Sequence, residues 1–190
     1  QSLVVDRAGR RFADEGQGGI YMANAIARLD EPLSATAIFD ASVWHDALTT
    51  DNVPPNPSLP ENGGAVIEAG DLATLAQKAG IDPDGLAATV AGYNAFVQAD
   101  ASGVIEPART TDQNRAFPVT DPPYYAIPVC AGITVTSGGL AVNGRGEVVN
   151  TDDRPIAGLY AAGSAVGGIE GGPRAGYVGG LIKSFGIGLI

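Results

Sequence analysis

The chain has 190 residues, 45% of them hydrophobic and 17% charged, which is long enough to bury a core and too apolar to stay disordered. A formal net charge of −10 argues against nucleic acid and anionic membrane surfaces as partners, with plain solubility as the simpler meaning of the same charge. The single cysteine, Cys130, excludes an internal disulfide and any multi-cysteine metal site and suits a reducing, cytoplasmic setting; no apolar run reaches the length of a membrane span and no signal peptide is visible.

Taken in chain order, residues 2–6 and 10–13 read as a hairpin around Ala8-Gly9, 20–29 as a short helix, 35–40 as a strand and 41–48 as a helical turn or two. The proline-rich stretch 52–60 cannot be helix or central strand. Asp71 is a good N-cap for a helix to Ala79, which Gly80 ends. Asp82 caps the next helix with Pro83 at its first position, and Leu86, Val90, Tyr93 and Val97 give it one apolar face. Residues 99–123 are polar and loop-like. Strands follow at 124–129, 133–136, 140–142 and 147–149, with Asn143-Gly144 as a turn. The fold class is α+β, with a composition boundary that divides 1–122 from 123–190 and no internal repeat.

From Gly158 to Gly180 glycine is several times more frequent than the roughly 7% of ordinary chains. The run reads as a short buried strand at 159–162, a loop that tolerates no Cβ atoms, and an apolar helix. Glu170, Arg174 and Tyr177 supply its polar chemistry. A strand, a glycine loop and a helix N-terminus together make a seat for an anionic or planar polar ligand.

The motif Gly158-Leu-Tyr-Ala-Ala-Gly163, followed by Gly167-Gly168-x-x-Gly171-x-x-Arg174, resembles the C-terminal FAD-contacting segment of the fumarate reductase/succinate dehydrogenase flavoproteins, a family that includes the 3-ketosteroid dehydrogenases. Val4-Val5-Asp-Arg-Ala-Gly-Arg-Arg-Phe12-Ala-Asp-Glu15 resembles the lead-in to that family's substrate-capping domain. Asp71-Leu-Ala-Thr-Leu-Ala, Gly80-Ile-Asp and Thr89-Val-x-x-Tyr93-Asn94 resemble its paired capping helices. Tyr124-Tyr-Ala-Ile127 and Thr136-Ser-Gly-Gly139-Leu resemble the strand that returns to the flavin. The motifs run in family order from residue 4 to residue 188.

The resemblance implies a capping domain at 1–122 and, at 123–190, the C-terminal segment of a Rossmann-like FAD-binding domain. The G-x-G-x-x-G fingerprint of the N-terminal FAD-binding half does not occur here, so the expected partner is that missing half of a longer flavoenzyme. Alone, the chain is expected to hold FAD weakly and to be inactive, and the lack of a targeting signal then says nothing about the parent's N-terminus.

The implied cofactor is FAD. Ser164, after Gly163, stands where the family usually keeps a glutamate on the ribityl chain, and Gly179, Gly180, Leu181 and Ile182 begin the terminal helix, whose N–H groups would face the flavin N1/O2 edge. A glycine-cushioned helix packed on a sheet is the alternative. Arg174 matches the family's substrate-binding arginine, against a plain ion pair with Glu170. Glu170, where fumarate reductases usually carry histidine, could orient Arg174, receive a proton, or be a simple loop carboxylate. The Tyr177 hydroxyl could polarise a carbonyl or remove an α-proton, or the ring could only pack. His45 is expected to be structural and Lys183 to lie at the surface.

Two departures from the fumarate-reductase pattern bear on substrate. No arginine follows the lead-in glutamate until Arg28, and Thr134 and Val135 replace the paired histidines ahead of Thr136. The implied reaction is hydride transfer between a small-molecule substrate carbon and flavin N5, on an unsaturated acid, ketone or steroid-like compound held by Arg174, Glu170 and Thr134 or Thr136. Tyr177, or a residue outside this chain, would move the proton. The competing reading is a non-catalytic capping or binding module. A hydrolase has little support, because there is no G-x-S-x-G elbow and neither His45 nor Cys130 has a recognisable triad partner.

Overall fold

Short apolar, β-branched-rich runs, Leu3-Val4-Val5 and Ala37-Ile38-Phe39, form the first two strands of a four-stranded antiparallel sheet and are buried on both faces. The computed structural model describes residues 2–45, 58–101, 104–112, 114–132, 137–170 and 179–189. Strand β1 (Leu3–Val5) pairs with β2 (Thr36–Asp40), β2 with β4 (Tyr124–Pro128), and β4 with β3 (Ile67–Ala69), giving the order β1-β2-β4-β3. The expected N-terminal hairpin is reduced to a single bridge, Val5 to Arg11, behind a turn in which Gly9 N donates to the Asp6 carbonyl and Asp6 N to the Arg10 carbonyl.

The two faces of this sheet are separate cores. On one, Leu3, Val5, Ile38 and Ala126 meet Leu75 and Ala76 of α3 (Leu72–Ala79) and Leu86, Val90 and Tyr93 of α4 (Pro83–Gln98). On the other, Val4 and Ala35 pack against Met22 and Ile26 of α1 (Gly19–Ile26), while Phe39, Tyr125 and Trp44 of α2 (Ala41–His45) stack with ring centroids 5.4–5.8 Å apart. Helix ends follow local chemistry. The Asp71 carboxylate accepts from Thr74 N at 2.8 Å, Gly80 closes α3 at φ 69°, and Asp82 caps α4 ahead of Pro83.

The chain divides into two compact units, Gln1–Ala131 and Gly132–Ile190. The division into compact units falls after Ala131, because β4 completes five register pairs with β2 and belongs to the first unit's sheet. In the second unit β5 (Glu147–Val149) pairs antiparallel with β6 (Pro155–Tyr160), and α5 spans Gly180–Gly188. The expected strand at 140–142 is limited to isolated bridges, and that at 133–136 lies outside the described residues.

Two expectations fail here. The buried strand expected at 159–162 is displaced: β6 ends at Tyr160, Leu159 and Tyr160 are exposed because nothing in the unit covers them, and Ala161 and Ala162 lie beyond the strand, half-buried. Lys183, expected at the surface, is buried, because a buried carboxylate meets it. Among the described residues no helix is long and apolar enough to cross a membrane.

Candidate functional site

In the second unit, the segment after β6 turns at Gly163, whose φ of 67° favours glycine and whose Cβ would come 2.5 Å from the Ser184 hydroxyl. This short 3-10 turn, Gly163–Ala165, therefore packs against the first turns of α5 with Gly163 buried and Ser164 exposed. Gly179, at φ 98°, is the N-cap of α5, and no side chain caps the helix. Leu181 and Ile182 in its first turn are 74% and 69% exposed, so their side chains point away from the unit's own core. Beneath them the Lys183 ammonium meets the Glu170 carboxylate at 2.6 Å, both side chains buried.

In the first unit, the segment between β1 and α1 holds a buried polar network. The Arg11 guanidinium donates to both Glu15 carboxylate oxygens, at 2.5–3.2 Å, and to the carbonyls of Pro107 and Ala108. Glu15 also accepts from Val4 N at 3.1 Å. Arg109 donates to the carbonyls of Thr110, Asn114 and Arg115, curling its own loop around its guanidinium. That loop is laced to the 14–18 turn: Thr110 N donates to Asp14 and the Asn114 amide to the Gly16 carbonyl. Burial alone would raise the Asp14 pKa, but bonds from Thr110, Gln17 and Gly16 outweigh it and lower it below the usual carboxylate value. The Tyr93 hydroxyl lies close to Arg109 yet has no hydrogen bond of normal geometry, and burial pushes its pKa up.

Beside this network is a cavity of about 440 Å³. Val4, Met22, Ala23, Ile26, Ala37 and Val129 form its apolar wall, and Glu15, Asn114 and Cys130 contribute its polar edge. Glu15 is the one charged side chain in the lining, and its charge is already matched by Arg11. Among the described residues no cluster of His, Cys, Asp or Glu could hold a metal ion.

A family model described as an FAD binding domain matches residues 2–177. The chain belongs to this family. Its relatives are flavoprotein oxidoreductases, and FAD is the family's cofactor. The chain is 34% identical over 175 residues to the NADH:fumarate oxidoreductase of Klebsiella pneumoniae (strain 342), covering 92% of this chain and 18% of that protein. It is 29% identical over 188 residues to the 3-oxosteroid 1-dehydrogenase of Mycobacterium tuberculosis (strain ATCC 25618 / H37Rv), covering 86% of this chain and 33% of that one. The open conformation of a flavocytochrome c3 fumarate reductase superposes with a TM-score of 0.65 at 26% identity, over 98% of this chain and 31% of that one. The chain thus spans a third or less of the length of these relatives.

For this flavoprotein chain the residues present fit FAD. Glycines at 163 and 179 hold positive φ where a Cβ would strain the backbone, and the uncapped start of α5 offers N–H donors to an anionic edge. The structure brings Gly163, Ser164, Gly179, Gly180, Leu181, Ile182 and Glu170 into one unit. Thr134, Thr136, Arg174 and Tyr177 lie outside the described residues. Sequence reasoning missed the Arg11–Glu15 pair as a site feature, although its i,i+4 spacing beside apolar residues was the available signal.

Proposed function

We propose that this chain is part of an FAD-dependent oxidoreductase that transfers hydride between a substrate carbon and flavin N5. The first unit provides the capping part; the second holds the flavin through Gly163, Ser164 and the residues 179–182. When bound, FAD supplies the hydride acceptor or donor. Arg174, with Thr134 or Thr136, fixes the substrate, and Tyr177 or a residue of the longer protein moves the proton. The observation that supports this reading best is the uncapped start of α5 beside the Gly163 turn, at the residues expected to meet the flavin.

The remainder of the FAD-binding fold is the natural cover for Ile156, Leu159, Tyr160, Leu181, Ile182 and Phe185, all exposed in the second unit.

The test is a visible absorbance spectrum of the full-length protein purified without added cofactor, followed by anaerobic reduction. A flavin spectrum that bleaches and is reoxidised by an enone or unsaturated acid supports the reading. A folded protein that stays colourless after incubation with FAD overturns it. In the active protein, an unchanged steady-state rate for Arg174→Ala would remove Arg174 from the mechanism.

A further inference from the structure

Inside a protein a buried charge acts on a bound ligand with little screening, so the charges around a ligand-holding helix start decide which charge state of the ligand it favours. The second unit buries two such charges. The Glu170 side chain is 3% exposed, and its carboxylate accepts from the Lys183 ammonium at 2.6 Å. Lys183 is the fourth residue of α5 and 5% exposed, and its N–H closes the first turn of the helix on the Gly179 carbonyl. A lysine here is disfavoured twice, by burial and by the positive end of the helix dipole. A buried ion pair adds little net stability over apolar residues of the same volume, so stability does not account for it. Charge balance does: without the lysine, a buried carboxylate would stand against the first turn of α5 and repel an anionic ligand there.

We propose that Lys183 is a positioning residue that acts through Glu170: its ammonium cancels the carboxylate, so the first turn of α5 keeps its own positive end for the flavin edge that gains negative charge on reduction. This role rests on the reading that residues 179–182 meet the flavin. The pair then sets how strongly the protein prefers reduced to oxidised FAD, and with it the driving force of hydride transfer.

The experiment measures the midpoint potential of FAD in the full-length protein, by equilibration with a reference dye. The wild type is compared with Lys183→Met, Glu170→Gln, their double variant and Lys183→Arg. Lys183→Met removes the cation from a buried carboxylate and is expected to lower the preference for reduced FAD about tenfold, a fall of about 30 mV for a two-electron couple. Glu170→Gln removes the anion and is expected to raise the potential by about as much. The double variant and Lys183→Arg keep the net charge of the pair at zero and are expected to stay near the wild type. Altered packing alone would not give shifts of opposite sign that cancel when combined.

Shifts of the same sign in the two single variants, or no shift in either, overturn the proposal. If Lys183→Met fails to fold, Glu170→Gln is compared with the double variant, from which it differs by the ammonium alone; equal potentials there overturn it too. A wild type that takes up no FAD overturns the reading beneath the proposal, whereas a flavin-loaded wild type whose potential no variant moves overturns the proposal and leaves that reading standing.

Discussion

The Arg11 guanidinium and the Glu15 carboxylate form a bidentate pair with both side chains 5% exposed or less, one turn of chain apart between β1 and α1. Each is further held by backbone: Arg11 by the carbonyls of Pro107 and Ala108, Glu15 by Val4 N. The pair joins the N-terminal strand, the 14–18 turn and the 107–115 loop around one wall of the cavity.

Arg11→Met alone should cost about 3–5 kcal/mol, because it leaves a buried carboxylate with no cation. Arg11→Met/Glu15→Leu should recover most of that loss. Denaturant unfolding of the three proteins decides the matter; a double variant as unstable as the single one would contradict the assignment of the cost to unpaired charge.

Tyr93 is fully buried with its hydroxyl unpartnered. Tyr93→Phe should therefore keep stability or raise it, since removing an unsatisfied buried polar atom relieves its desolvation, a penalty of about 1–3 kcal/mol. The raised pKa adds an alkaline signature. The unfolded tyrosine ionises from about pH 10, whereas the folded one resists, so this contribution is present below that pH and lost above it. Melting temperatures at increasing alkaline pH should fall faster for the wild type than for Tyr93→Phe.

Asp14 gives the opposite window. Its folded pKa is lowered, so between that value and its unfolded pKa of about 3.9 the unfolded state binds more protons. Its stabilisation is full above the unfolded value and disappears as the pH falls through the folded one. Asp14→Asn should be less stable than the wild type at neutral pH, with the gap closing in acid. A gap independent of pH would mean that the carboxylate charge is not what laces the 110–114 loop to the turn.

Gly163→Ala and Gly179→Ala separate backbone strain from crowding. Both positions have positive φ, but only Gly163 has a neighbour within 4 Å of a built Cβ. Each should lose about 1–3 kcal/mol, because a residue with a Cβ is strained at positive φ. Gly163→Ala should also displace Ser184. Faster FAD release from Gly163→Ala, measured by flavin fluorescence in the full-length protein, is expected; equal release in both variants would show that crowding at Ser184 is immaterial.

The sequence by itself determined the local features and the family. Asp71, Gly80, Asp82 and Pro83 bound two helices because capping acts within four residues, and the Leu86, Val90, Tyr93 stripe showed which face of α4 is buried. The motifs from Val4 to Arg174 identified the flavoprotein family. Only the tertiary structure decided that β4 lies between β2 and β3, that β6 is exposed, and that Lys183 is buried against Glu170. Ladder hydrogen bonds join backbone groups that every residue carries, so strand order leaves little mark on the residues themselves. A lysine looks the same in sequence whether water or a distant carboxylate receives its charge, and only the folded chain supplies the carboxylate.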